Sequence, residues 1–207
     1  MVFIIDKNAK EKIKPNYNTA LFLDVATKYT GYALYALTEV VDDHAVKVEL
    51  LNYGNIRAGE GEWKLRCVKL TNKIYRLVGD TLPGMLVLEH PTFQGGSRGM
   101  AAARSGGTLE LAYLCGMISG QWMLYGAQVY KETKATIPLA NLVTYNQWAG
   151  QTNKQITCHR LKEYFLIDAD PNSVDNNWAD AVMMGKLFYE AQKVTVDQTH
   201  KSERIDL

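Results

Sequence analysis

Cysteine and histidine are scarce in this chain. The three cysteines, Cys67, Cys115 and Cys158, are an odd number with no close pair. That argues against a disulfide framework or a thiolate zinc site and fits a reducing, cytoplasmic setting. The histidines form no cluster, so a nitrogen-rich metal cage is also absent. No sign of charge predominates: 23 Lys and Arg face 22 Asp and Glu, a formal net charge of +1. No repeat or low-complexity linker interrupts the chain. The first fifteen residues, MVFIIDKNAKEKIKP, carry a charge at the sixth position and no long apolar stretch, so no signal peptide is expected. The run at 111–127 approaches membrane-spanning length, but Gln121 and three glycines break it, and a buried helix is the better reading.

What is present suits one folded domain of 207 residues, 47% apolar. Residues 1–18 read as a polar extension, 19–192 as the domain and 193–207 as a tail. TALFLDV is an apolar run closed by a carboxylate, the pattern of a central strand covered on both faces. YALYAL and VKVELLNYGNI follow as strands, the Asp42-Asp43 turn between them. Residues 62–79 are helical by period, with Trp63, Cys67, Leu70, Ile74 and Leu77 on one stripe. Pro83-Gly84 is read as a break before a short strand, MLVLE, that Pro91 stops. A Gly/Ala/Ser/Arg-rich loop leads to a long apolar helix, and AQVYK is a fifth strand. Amphipathic helices are expected at 153–166 and from 175 to about 192. The sum is an α/β domain on a mixed five-stranded sheet, three antiparallel strands then two parallel.

Three carboxylates stand in unusual places. Asp24 and Glu89 each end an apolar strand, where an unpaired ionised carboxylate costs several kcal/mol unless water, a donor or a metal meets it. Solvent-facing strand ends are the plainer alternative. Asp180 lies on a helix whose stripe through Met184 and Leu187 faces the core. Convergence of three acids would suit two magnesium ions roughly 4 Å apart, activating a water and stabilising a leaving oxygen. Oxygen donors without histidine or thiol favour magnesium, or manganese, over zinc. Asn177, three residues before Asp180, shares its helix face and is a possible fourth ligand. Asp175 lies roughly 140° around the helix from Asp180 and is better read as an N-terminal cap.

On these residues the chain resembles the RuvC family of Holliday-junction resolvases, within the ribonuclease-H-like superfamily. LFLDVATKYTGYAL is similar to that family's first two strands and their Asp-x-Gly-x-x-x-Thr-Gly segment. MLVLEHP resembles its strand ending in the catalytic Glu, NKQITCHRLKEYF its late helix with an active-site Lys, and NNWADAVMMG its final Ala-Asp-Ala motif. The order holds along most of residues 19–190, and the set looks most like divergent, phage-type members. The resemblance implies a ribonuclease-H-like fold, Asp24, Glu89 and Asp180 as catalytic metal ligands, and Lys154 near the scissile phosphate. It also implies a homodimer, branched DNA as partner, and attack by a metal-activated water leaving 5′-phosphate and 3′-hydroxyl ends. There are departures. Ala26 replaces a motif Gly, Asn177 replaces an Asp or His, and a second family Lys has no match at 145–148.

The modest net charge requires positive charge to be local. Residues 57–76 hold six basic residues against two acidic ones. Arg66, Lys69, Lys73 and Arg76 recur at helical spacing, either as a phosphate-contacting ridge or as a solvated face. Arg98 and Arg104 lie in a glycine-rich loop directly after Glu89, a position suited to substrate handling. Phe93 at its root is either a wedge into a junction or a core residue. His90 is better read as a structural contact than as a ligand. The helix at 109–125 is apolar nearly all round, so it is either wholly internal or shared with a second subunit.

Three rivals remain. An actin-like ATPase also opens on an Asp-led hairpin, but this chain lacks the second lobe and the phosphate and adenosine loops, so no nucleotide cofactor is expected. A transposase-like or RNA–DNA-hybrid nuclease would share the chemistry. An inactive DNA-binding module is hinted at only by Asn177. The reading is a metal-dependent, junction-selective DNA endonuclease.

Overall fold

The computed structural model describes residues 14–41, 44–78, 81–89, 106–124, 128–132, 152–173, 175–197 and 203–207. Strands β1 (Lys14–Asp24), β2 (Tyr29–Val41) and β3 (His44–Arg57) form an antiparallel meander. After helix α1 (Trp63–Val78), strand β4 (Thr81–Glu89) lies parallel to β1 on its free side. Helix α2 (Gly107–Leu124) leads to β5 (Gln128–Glu132), parallel to β4. Helices α3 (Asn153–Phe165) and α4 (Asn177–Ala191) follow. The main order is therefore β5-β4-β1-β2-β3, the mixed arrangement expected.

Three boundaries differ from expectation. The Pro83-Gly84 pair does not precede β4 but lies inside it. The register shift between Asn16 and Ala20 on β1 absorbs the irregularity. β1 begins at Lys14, inside the segment read as an extension. The supposed tail joins the sheet: β6 (Thr195–Asp197) and β7 (Glu203–Arg204) both pair parallel to β3, making seven strands. Pieces of three and two residues are too short to carry a period.

Alternation along the strands divides the core in two. Ala20, Phe22, Ala33, Tyr35 and Val87 pack beneath α3 and α4, with Leu161, Phe165 and the body of α4. Leu21, Leu23, Tyr32, Leu86 and Leu88 face the other way, onto Cys67, Leu70 and Ile74 of α1 and Leu114, Ile118 and Trp122 of α2. Each such Leu or Ile, fully buried, contributes about 1.5–3 kcal/mol. Covering both faces is why β1 and β4 read as unbroken apolar runs.

The helices differ in how they use their surfaces. α1 buries the predicted stripe at Cys67, Leu70 and Ile74, with Trp63 and Leu77 packed partly against it. α4 is enclosed on all sides from 178 to 186, more completely than a single stripe implies. Its Gly185 lies against the Tyr35 ring, where a Cβ would come within 2.2 Å. α2 is not wholly internal. Leu114, Cys115, Ile118 and Trp122 are buried, while Leu109, Tyr113, Met123 and Leu124 stand exposed on the outer face. No described helix is long and apolar enough to cross a membrane.

Candidate active site

Strand parity puts two of the three acids on one face. Asp24 continues the Ala20–Phe22 series and Glu89 the Met85–Val87 series, both of which look toward α3 and α4. β1 and β4 run parallel with Phe22 opposite Val87 and Leu23 opposite Leu88. One further step of that register brings Asp24 beside Glu89. The nearness of the Glu89 carboxyl raises the pKa of Asp24.

Asp180 comes from above the sheet. It lies in the first turn of α4 and is only 8% exposed. The helix gets close because β2 carries Gly31 directly opposite Asp24. A Cβ on Gly31 would stand 2.1 Å from the carbonyl carbon of Asn177. The Asn177 Nδ2 donates to the Tyr29 carbonyl at 2.5 Å, which fixes the side-chain amide. Its Oδ1 is thereby turned to the cluster, where it accepts from Lys154 Nζ at 3.4 Å.

Lys154 also donates to Asp180 Oδ2, an ion pair in which the carboxylate is almost fully covered. Its position follows from the start of α3. Thr152 is the N-cap, accepting from Gln155 N while the Gln155 side chain accepts from Thr152 N at 2.8 Å. This reciprocal capping box pins the turn that carries Lys154. The lysine reached through resemblance thus stands among the carboxylates.

Burial and neighbouring charge act together on Asp24. Burial pushes its carboxyl well above the usual carboxylate range. The Asp180 and Glu89 charges push it further, and Lys154 offsets part of the rise. The Cys158 thiol, on α3 nearby, is also pushed up, by burial and then by the Asp180 charge.

Three carboxylates and one amide carbonyl lie near one another, all hard oxygen, and side chains of this chemistry suit a divalent cation. As placed, among the described residues no three Asp, Glu, His or Cys side chains enclose a metal site. Asp180 instead carries the lysine ammonium.

Other sequence expectations fare differently. Asp175 is not a cap. Asn176 takes the N-cap position without a side-chain cap bond, and Asp175 Oδ2 accepts from Arg57 at 2.6 Å. Sequence spacing cannot show that Arg57, some 118 residues away, competes for that carboxylate. Arg66 is braced rather than free: it donates to the carbonyls of Thr27 and Gly61 and pairs with Glu110 on α2. Lys69 is exposed and reaches the Glu60 carbonyl. Lys73 is half-buried and Arg76 exposed. His90, Phe93, Arg98 and Arg104 lie outside the described residues. Sequence reasoning passed over Tyr29 and Gly31. Their signal was the Tyr-Thr-Gly that follows Asp24, noticed as motif but given no role.

No protein-family model and no curated protein matches the sequence. Solved structures do match the fold. Thermus thermophilus RuvC in complex with a Holliday junction substrate is 12% identical with a TM-score of 0.54, covering 84% of this chain and 95% of that one. Thermus thermophilus RuvC in a second structure is 14% identical with a TM-score of 0.53, covering 84% and 96%. The yeast mitochondrial Holliday junction resolvase is 15% identical with a TM-score of 0.53, covering 90% and 85%. The chain has the ribonuclease-H-like fold of these proteins.

Proposed function

We propose that this chain is a metal-dependent DNA endonuclease that resolves four-way junctions. The observation carrying it is that strand register sets Asp24 beside Glu89 while the gap at Gly31 brings the first turn of α4, with Asp180, down onto the sheet opposite Asp24, Lys154 being held on Asp180. Three acids gathered at the ends of two central strands and the first turn of a buried helix cost stability, which makes sense where a cation is to be held. Resemblance of ordered motifs and likeness of fold to junction resolvases support the choice of substrate.

Magnesium or manganese, bound as one or two ions, would supply Lewis-acid stabilisation and water activation. Asp24, Glu89 and Asp180 would hold it, and the Asn177 carbonyl oxygen completes the donor set. Lys154 keeps a positive charge beside Asp180, suited to stabilising charge that develops on a phosphodiester. Buried elements hold each group in place, which is the preorganisation that electrostatic catalysis needs. Phe93, Arg98 and Arg104, by their position after Glu89, are assigned to substrate handling, and Lys69, Lys73 and Arg76 to phosphate contacts.

A second copy of the chain is assigned to the outer face of α2. Leu109, Tyr113, Gly116, Gly120 and Met123 recur there at helical spacing and are exposed. A Cβ at Gly116 or Gly120 would meet nothing within 4 Å, so another helix can approach closely. A two-fold dimer presents two sites to two opposed strands.

The test is incubation of the purified protein with labelled four-way junction, linear duplex and RNA–DNA hybrid, each with magnesium, manganese or EDTA. Metal-dependent cleavage confined to the junction is expected. Preference for hybrid would replace the substrate and keep the chemistry; no cleavage of any substrate with either metal would remove the reading.

A further inference from the structure

Beyond the carboxylates, at the end of the sheet, lies a hollow of about 360 Å³ lined by Lys28, Tyr29, Arg57, Glu60, Arg66 and the glycines at 59 and 61. Three cations face one acid. Lys28 is exposed and makes no ion pair with a described carboxylate. Arg57 lies over the Tyr29 ring, 5.6 Å from its centroid, and its side chain is 52% exposed. It gives one donor to Asp175; a guanidinium has five. Arg66 is held in place by two carbonyls and Glu110, so it contributes a fixed positive wall.

The hollow is coupled to the cluster through Tyr29. The Tyr29 carbonyl orients Asn177, while Tyr29 pairs with Arg57 across β2 and β3. Tyr29 is two residues from Gly31, which faces Asp24. At about 3.4 Å per strand residue that is an offset of about 7 Å.

We propose that Lys28, Arg57 and Arg66 form a pocket for a DNA backbone phosphate near the one cut. It rests on the nuclease reading above. The chemistry is that of a phosphodiester anion and not of a base, because Tyr29, the one aromatic ring among the described residues lining the hollow, is covered by Arg57. A strand held there and at the carboxylates is fixed at two points, which sets the register of the scissile bond.

The experiment compares the full-length protein with its Lys28→Gln, Arg57→Gln and Lys47→Gln variants for four-way junction binding in EDTA across a salt series. Lys47 pairs with Asp197 far along β3 from Arg57 and serves as control. Losing one phosphate contact should reduce the magnitude of the log affinity against log salt slope by about 0.9. That reduction is expected for Lys28→Gln and Arg57→Gln, with weaker binding at every salt, and no change for Lys47→Gln. An unchanged slope for Lys28→Gln, or an equal fall for Lys47→Gln, overturns the pocket while leaving the nuclease reading intact. Wild-type protein that neither binds nor cuts the junction removes both.

Discussion

Asp24 on β1 faces Gly31 on β2, and Gly31 is where the backbone of α4 comes down onto the sheet. The missing side chain at Gly31 is therefore what lets Asp180 reach Asp24. Asn177 occupies that space, with its amide hydrogen-bonded to Tyr29.

Gly31→Ala should displace the first turn of α4, since its Cβ would fall within 2.4 Å of three backbone atoms of residues 177 and 178. Backbone cannot yield as a flexible side chain does. Junction cleavage is expected to fall about 100-fold, the cost of misplacing a catalytic group by roughly 1 Å, while junction affinity changes little. Wild-type turnover by a folded Gly31→Ala protein would show that α4 has no need of this approach.

Lys154→Met removes the cation from Asp180 and Asn177. Loss of one preorganised donor typically costs about 100- to 1000-fold in turnover, and that is the expected range here. Lys154→Arg should recover part of it, and affinity for the junction in EDTA should hold. Single-turnover cleavage with labelled junction separates the two effects; full activity in Lys154→Met would contradict the assignment.

Asp24 has a raised carboxyl pKa in the metal-free protein, so the folded state holds its proton to higher pH than the unfolded chain does. Stability from this group is present below the ordinary carboxylate range and declines as pH rises through the raised value. In EDTA at neutral pH, Asp24→Asn should therefore melt higher than wild type. Magnesium should raise the wild-type Tm and raise that of Asp24→Asn less. Thermal melts at pH 5 and pH 8, with and without metal, check both signs; a lower Tm for the variant in EDTA would refute the crowding argument.

The last five residues are bound through Gly54. A Cβ there would stand 2.0 Å from the Ile205 carbonyl oxygen. Ile205 N and Leu207 N donate to the carbonyls of Tyr53 and Asn55, and the Tyr32 hydroxyl donates to Ile205 O. Gly54→Ala should detach this strand. At about 1 kcal/mol net for each of these hydrogen bonds lost, and about 2–4 °C per kcal/mol in a chain of this size, Tm should fall by roughly 6–12 °C. Early proteolytic loss of the C-terminus should accompany the fall, and an unchanged Tm with a protected C-terminus would contradict it.

Met123→Glu places a charge on the outer face of α2, where Met123 is 64% exposed. Sedimentation is expected to show dimer for wild type and monomer for the variant, with the Tm of the monomer barely altered. A monomeric wild type would assign that face to something else.

The five strands with their antiparallel and parallel directions, the helix positions and the unusual placement of three acids were legible in the sequence. Their signals are local: an apolar run ended by a carboxylate at Asp24 and Glu89, and a 3.6-residue period carrying Asp180 inward. Tertiary structure alone decided the rest, because it depends on partners distant in sequence. Arg57 took Asp175 from its expected place as a cap. β6 and β7 turned a supposed tail into part of the sheet. α2 proved buried on one side only. Gly31 became decisive because residues 177–178 descend onto it from the far end of the chain, a contact that no window of sequence contains.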